Sequence, residues 1–161
     1  MIASGGFFLF KKTNCVIGAV LLIRGTYYLA ATSHLFQKAE LGIPVHADGG
    51  EGIVKRFLED YDIALIELPS GITAEITEFG DAALLEDAVL ANERHRIPCR
   101  VIGAGASLLY LQFPCFDMPQ PGDSGSPIFQ KGKVVGLLSS IMLSSCTGTA
   151  VSSDVLHALS I

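Results

Sequence analysis

The sequence lacks any hydrophobic run long enough to cross a bilayer. Its longest apolar stretch, Cys15–Ile23, is nine residues and ends at Arg24, against the roughly 20 residues a spanning helix needs. That length fits a buried strand, and no membrane span is expected. Charge is sparse as well: 17% of the residues are charged, and the formal net charge is −5. Lysine and arginine are scattered without a basic stripe, which argues against nucleic acid as a partner, because phosphate binding needs clustered cations. A basic start is also missing. Lys11 and Lys12 follow the first apolar stretch instead of preceding it, so Met1–Phe10 does not read as a secretory signal. This points to an intracellular protein, or to part of a larger multidomain protein or polyprotein.

Cysteine is scarce. The four residues Cys15, Cys99, Cys115 and Cys146 include no C-x-x-C pair, so a zinc knuckle is not expected, and neither is any other metal or cofactor. Cys15 and Cys99 lie in apolar runs and read as core thiols. Cys115 and Cys146 read as two reduced thiols, with a bridge between them as the alternative. Internal repeats, low-complexity tracts and sustained 3.6-residue periodicity are all absent.

What is present is a chain of 161 residues, half of them hydrophobic, enough for one compact unit with a sizeable core and too apolar for disorder. Short β-rich runs alternate with Gly, Pro, Asp and Ser, the rhythm of an all-β barrel or sandwich. Strands are expected over 6–10, 15–24, 26–31, 53–57, 63–67, 100–103, 108–113, 126–130, 134–140 and 148–152. Gly25 and Lys131-Gly132 read as tight turns between paired strands. Ser153–Leu159 reads as a terminal helix capped by Ser152 or Ser153, with Asp154 in its first turn. Ala82–Asn92 is either a short helix or two strands.

The chemistry concentrates in three places. Pro121-Gly122-Asp123-Ser124-Gly125-Ser126-Pro127 places a serine between glycines. A serine hydroxyl is a weak nucleophile that needs a base and a positioned oxyanion site. Flanking glycines let the backbone turn tightly and aim amides at one point, and each such donor is worth about 3 kcal/mol. The plain alternative is a polar β-turn. Tyr27–His34 is a β-rich run ending in small residues and a histidine, which leaves an imidazole near water at the end of a rigid element; a surface histidine after a strand is the alternative. Tyr61–Leu68 opens an apolar strand with Asp62, an awkward place for a carboxylate unless something pairs with it. Asp60 is the rival, because residues two apart share a strand face.

Gly-Asp-Ser-Gly-Ser-Pro resembles the nucleophile loop of the chymotrypsin/trypsin-like serine proteases, with Ser126 in place of their second glycine. Ala30-Ala31-Thr32-Ser33-His34 is similar to their strand ending in histidine, and Asp62-Ile63-Ala64-Leu65 to their Asp-Ile-Ala-Leu. The order His, Asp, Ser is also that of chymotrypsin. The resemblance spans nearly the whole chain, with the middle segments matching only in strand rhythm. It implies a double six-stranded β-barrel with a short C-terminal helix, forming one peptidase domain over 1–161. The N-terminal barrel would cover about 1–69, the C-terminal barrel about 72–152 and the helix about 153–160. It implies a serine endopeptidase acting on protein or peptide substrates. His34, Asp62 and Ser124 would be the triad, and the backbone amides of Gly122 and Ser124 the oxyanion hole.

Departures from the family bear on specificity and control. Leu35 stands where the family carries a cysteine after the histidine. The triad intervals are short, which implies trimmed loops and an open cleft that binds extended peptide along strand edges. No Ile-Val-Gly-Gly start exists to pair with Asp123, so that carboxylate needs another partner, a local amide or a nearby basic group. Met118 replaces the acid that gives trypsin its taste for Arg and Lys. With Ser139, Ser140 and Ile141 as the strand edge and Gly148 as the opposite wall, a small or apolar P1 side chain is expected. Packing alone is the alternative role for Met118 and Ile141. His46, His95 and His157 are expected to face solvent, and Asn92–Arg96 to be a solvated turn. A catalytically silent, protease-like binding module is the competing reading of the whole chain, and a non-protease esterase a weaker third.

Overall fold

The computed structural model describes residues 1–160, so the last residue of the expected 1–161 unit lies outside them. Alternating burial builds two sheets. The first has seven strands: β1 Phe7–Phe10, β2 Thr13–Val16, β3 Ala19–Ile23, β4 Thr26–Thr32, β5 Pro44–Ala47, β6 Gly50–Leu58 and β7 Ile63–Glu67. Their order is β2-β1-β5-β6-β7-β4-β3. The second is a closed six-stranded barrel of β8 Asp87–Ala91, β9 Arg96–Ala104, β10 Leu108–Gln112, β11 Pro127–Gln130, β12 Lys133–Met142 and β13 Thr147–Ser152, ordered β10-β13-β12-β11-β8-β9. All named ladders are antiparallel. Closure removes free edges in the second unit. The helix α1, Ser153–Leu159, follows β13, and the Ser152 hydroxyl accepts from the Asp154 amide at its start.

Three local expectations change. The run over 15–24 is two strands, because the chain turns away at Ile17-Gly18. Pro44–Ala47 is a strand that its short, proline-led sequence did not signal. Ala82–Asn92 holds no helix: β8 occupies Asp87–Ala91, where Ala88 and Leu90 are buried and Asp87 faces out. Period-2 burial against β9 and β11 decided that segment.

Each sheet wraps its own apolar cluster. Phe8, Ile17, Leu29, Val54 and Ile66 anchor the first; Leu90, Val101, Leu111, Ile128 and Leu138 anchor the second. A third cluster unites them: Ala19, Leu21, Ala30, Ile63 and Leu65 from the first sheet meet Val134, Leu137, Val151 and Leu156 of α1. The seam is therefore packed as tightly as a core. Gly18 shows how closely the two halves approach. A Cβ there would stand 2.6 Å from Leu137 Cδ1 and 2.7 Å from the Gly125 carbonyl oxygen. Only a residue without a side chain fits, and the contact fixes the 122–127 loop against the first sheet.

Candidate active site

The β4–β7 ladder ends at the pair Thr32↔Ile63. Beyond it, the chain leaving β4 and the chain entering β7 must lie side by side. Each makes a single 3-10 turn there, Ser33–Leu35 and Glu59–Tyr61. Asp62 closes the second turn in the left-handed region, at φ 55°, a conformation a short polar side chain tolerates. The Ser33 amide donates to the Asp62 carbonyl over 3.1 Å. His34 and Asp62, distant in sequence, are thus neighbours because of one strand register.

The Asp62 carboxylate is saturated. Its Oδ1 accepts from Ser33 Oγ at 2.8 Å and from the His34 amide at 3.0 Å. Its Oδ2 lies 2.9 Å from His34 Nδ1, so Nδ1 carries the proton toward the carboxylate and Nε2 is left to act as a base. Ser139 Oγ, from the other sheet, donates to the same Oδ2 over 3.1 Å. Asp60 is exposed within the Glu59–Tyr61 turn and takes no part.

Ser139 owes its direction to a register shift. The β12–β13 ladder slips between Leu138 and Ser140, and such a bulge re-aims one side chain. Ser139 was expected as part of the strand edge beside the substrate; its side chain makes a bond to Asp62 that the sequence did not signal.

Ser124 sits on the loop that runs into β11. The Gly125 amide donates to the Leu138 carbonyl at 2.7 Å, and the Leu138 amide to the Ser126 carbonyl at 2.9 Å, which holds the serine beside Ser139. Gly125 has φ +84°, and a Cβ on it would lie 2.6 Å from Thr32 Oγ1, two residues before His34. The loop that carries Ser124 thus lies against the end of β4. Among the described residues, no hydrogen bond joins the Ser124 hydroxyl to the His34 ring. Unliganded sites often leave this contact long until substrate tightens it.

The amides of Asp123, Gly125 and Ser126 are occupied by backbone carbonyls. Those of Gly122 and Ser124 have no intramolecular partner among the described residues. These two free amides alternate with bonded ones on a loop where Gly122 has φ +98°.

The expected specificity residues divide. Met118 and Ile141 pack against the second core cluster. Ser140 Oγ is 2.7 Å from Thr149 Oγ1. Gly148 pairs with Ile141, and a Cβ there would crowd the Ser140 carbonyl at 2.8 Å and the Phe113 ring at 3.0 Å. Cys115 and Cys146, expected as reduced thiols, are joined by a disulfide that spans 31 residues and ties the Met118 segment to the β12–β13 turn. The fold places their Cα atoms 5.2 Å apart, a proximity that sequence separation hides.

Two further expectations are corrected. Asn92–Arg96 is not merely a solvated turn, and His95 does not simply face solvent. His95 Nδ1 lies 2.8 and 2.9 Å from the two oxygens of Asp123, which is 1% exposed. Asn92 Nδ2 donates to Asp123 at 3.1 Å and to Ser126 Oγ at 2.8 Å. The available signal was the carboxylate of Asp123, which lacked a terminal amine to pair with and so required a donor elsewhere. His46, beside Glu51, and His157 on α1 are exposed as expected.

A closed barrel packed on a second antiparallel sheet, with the site at their seam, is the fold of the chymotrypsin-like serine proteases. Thermobifida fusca protease A superposes with a TM-score of 0.77 at 15% identity, covering 98% of this chain and 94% of that one. A glutamic-acid-specific serine protease gives 0.72 at 14% identity, covering 98% and 97%. Cellulomonas bogoriensis chymotrypsin gives 0.70 at 15%, covering 98% and 94%. At these identities the likeness is one of fold. No protein-family model and no curated protein sequence matches the chain.

Proposed function

We propose that this chain is a serine endopeptidase and that residues 1–161 act as one peptidase domain, with barrels over about 1–69 and 72–152. One observation carries the reading: a single carboxylate, Asp62, accepts from His34 Nδ1 at the end of one sheet and from Ser139 in the other, next to a loop on which the amides of Gly122 and of Ser124 itself are free. In the mechanism, Ser124 Oγ attacks the scissile carbonyl while His34 Nε2 takes its proton. Asp62 holds the ring and stabilises the imidazolium. The tetrahedral oxyanion forms against the amides of Gly122 and Ser124. His34 then protonates the leaving amine, and water repeats the sequence on the acyl-enzyme.

The packing of Met118 and Ile141 favours a small or apolar P1 side chain and leaves no fixed charge to select a basic one. Ser140 and Gly148, on the paired strands β12 and β13, would flank it. The substrate is a protein or peptide with few permitted sites, and the chain would serve such targets alone or within a larger multidomain protein or polyprotein. No helix of the described residues is long and apolar enough to cross a membrane. The Cys115–Cys146 bridge favours an oxidising compartment over the intracellular placement expected from the first residues, since reducing pools open such bonds.

A fluorophosphonate probe should label the wild type, and Ser124→Ala should abolish the labelling. The lack of a direct Ser124–His34 bond favours a second reading, a silent binding module; no labelling of the folded wild type under any condition would establish it over the enzyme.

A further inference from the structure

β3 ends the order of the first sheet, and its outer side is only half covered. In an antiparallel ladder, residues alternate between pointing their amide and carbonyl at the partner strand and pointing them away. Val20 points away from β4: its amide donates to Thr77 Oγ1 at 2.8 Å, and its carbonyl accepts from the Thr77 amide at 3.0 Å. Leu22, two residues on in the same ladder, points the same way. Among the described residues, its amide and carbonyl have no partner. Strand edges are commonly guarded by proline, lysine or a bulge, and Ala19–Ile23 has none of these. Thr77 belongs to a segment between the sheets that is pinned on its other side as well. There the Val134 amide donates to the Glu78 carbonyl and the Gly80 amide to the Val134 carbonyl, both at 3.0 Å. The open part of the edge therefore faces a preformed groove of about 350 Å³, lined by Leu22, Ile76, Glu78, Phe79, His157 and Ser160.

The lining has a sign. No lysine or arginine occurs between Arg56 and Arg94. Glu78, and Glu75 in the adjoining groove, are exposed. Neither takes part in an ion pair among the described residues, and His157 is the one basic group in the two linings. An open backbone edge beside unpaired carboxylates fits one kind of occupant: an extended chain whose own amides and carbonyls continue the ladder and whose side chains are lysine or arginine. A second copy of this chain would bring the same acids to the edge and be repelled. We propose that the Leu22 edge is a docking site for an extended, basic segment of a partner protein, which adds a strand to the first sheet. Leu22 pairs with Tyr27, near the opposite end of β4 from His34, about 20 Å away at the rise of an extended strand. The docking site is thus separate from the candidate active site and does not depend on the endopeptidase reading.

The test uses the full chain carrying Ser124→Ala, so that no probe is cut. The probes are synthetic peptides: one alternating lysine with valine, one with glutamate in place of each lysine, and the lysine peptide N-methylated throughout. Amide NMR titration reads both affinity and place. The lysine peptide should bind and move the Leu22 amide resonance, and the other two should bind about tenfold more weakly. Adding Glu75→Gln and Glu78→Gln should weaken the lysine peptide about fivefold with the melting temperature unchanged, because both side chains are exposed and each such pair contributes modestly. An unmoved Leu22 amide at millimolar peptide would overturn the proposal. So would undiminished binding to the double glutamine variant, or equal binding of the N-methylated peptide, which would mean charge attraction without strand addition. A dimer in sedimentation that shields the Leu22 amide without any peptide would make the occupant a second copy and refute it equally. Fluorophosphonate labelling of the wild type bears only on the endopeptidase reading, so the two failures are told apart.

Discussion

Asp62 gathers four donors onto one carboxylate, and the four are not equivalent. Ser33 Oγ and the His34 amide fix the acid to the end of β4; only the bond to His34 Nδ1 selects the imidazole tautomer. Replacing Asp62 with Asn keeps the shape but offers the ring an amide, which favours the wrong tautomer. Asp62→Asn should lower kcat by about 10,000-fold. Ser139→Ala removes one of the four bonds, worth about 1–2 kcal/mol, and should lower kcat roughly 5- to 30-fold. Peptide turnover with both variants checks this ordering; equal losses would mean that Ser139 does more than steady the acid.

Asp62 is also where residue-level reading worked well. Its carboxylate at the head of an apolar strand demanded a partner, and the structure supplies one. The same demand was visible for Asp123, yet its partners lay in a turn that composition marks as ordinary surface. Charged runs such as Glu93–Arg96 look alike whether they face water or reach a buried acid 28 residues away. Only pairing of β8 with β9 and β11 brings the turn to the loop.

Among the elements, α1 has a role its length conceals. Seven residues are too few for a stable isolated helix. It persists because Leu156, 0% exposed, inserts into the cluster that joins the two sheets. Leu156→Ala should cost about 2–5 kcal/mol and lower the melting temperature on the order of 5–15 °C for a chain of this size. Calorimetry tests it. A change below about 2 °C would show that the helix merely rests on the seam. The boundaries of α1 were legible because Ser152 and Asp154 carry local capping signals, as were the tight turns at Gly25 and Lys131-Gly132. The strand at Pro44–Ala47 was not. Its pairing with β1 and β6 is a long-range choice that four residues cannot encode.

For the whole molecule, the four cysteines form two classes. Cys15 and Cys99 are free and buried, and loss of hydration around a thiolate pushes their pKa values up to about 11 and about 12 from the usual 9.0. Their neutral forms are favoured by the fold, so the stability they lend is complete below about pH 9. It declines as pH rises through the folded values, because the unfolded chain releases those protons first. Alkylation at pH 8 should leave the native protein unmodified. Denaturation alone should expose two thiols, and denaturation with reductant all four. Mass spectrometry counts them; four reactive thiols without reductant would exclude the Cys115–Cys146 bridge.

The sequence by itself determined the all-β class, the strand rhythm and the three short segments that hold His34, Asp62 and Ser124, because turn chemistry, period-2 burial and a glycine-flanked serine are all local properties. Tertiary structure alone decided which side chains serve those residues. The disulfide, the bond from Ser139 to Asp62 and the His95–Asp123 contact each join segments that strand register and seam packing bring together, and register is a sum over many weak pairings that no short stretch of chain contains.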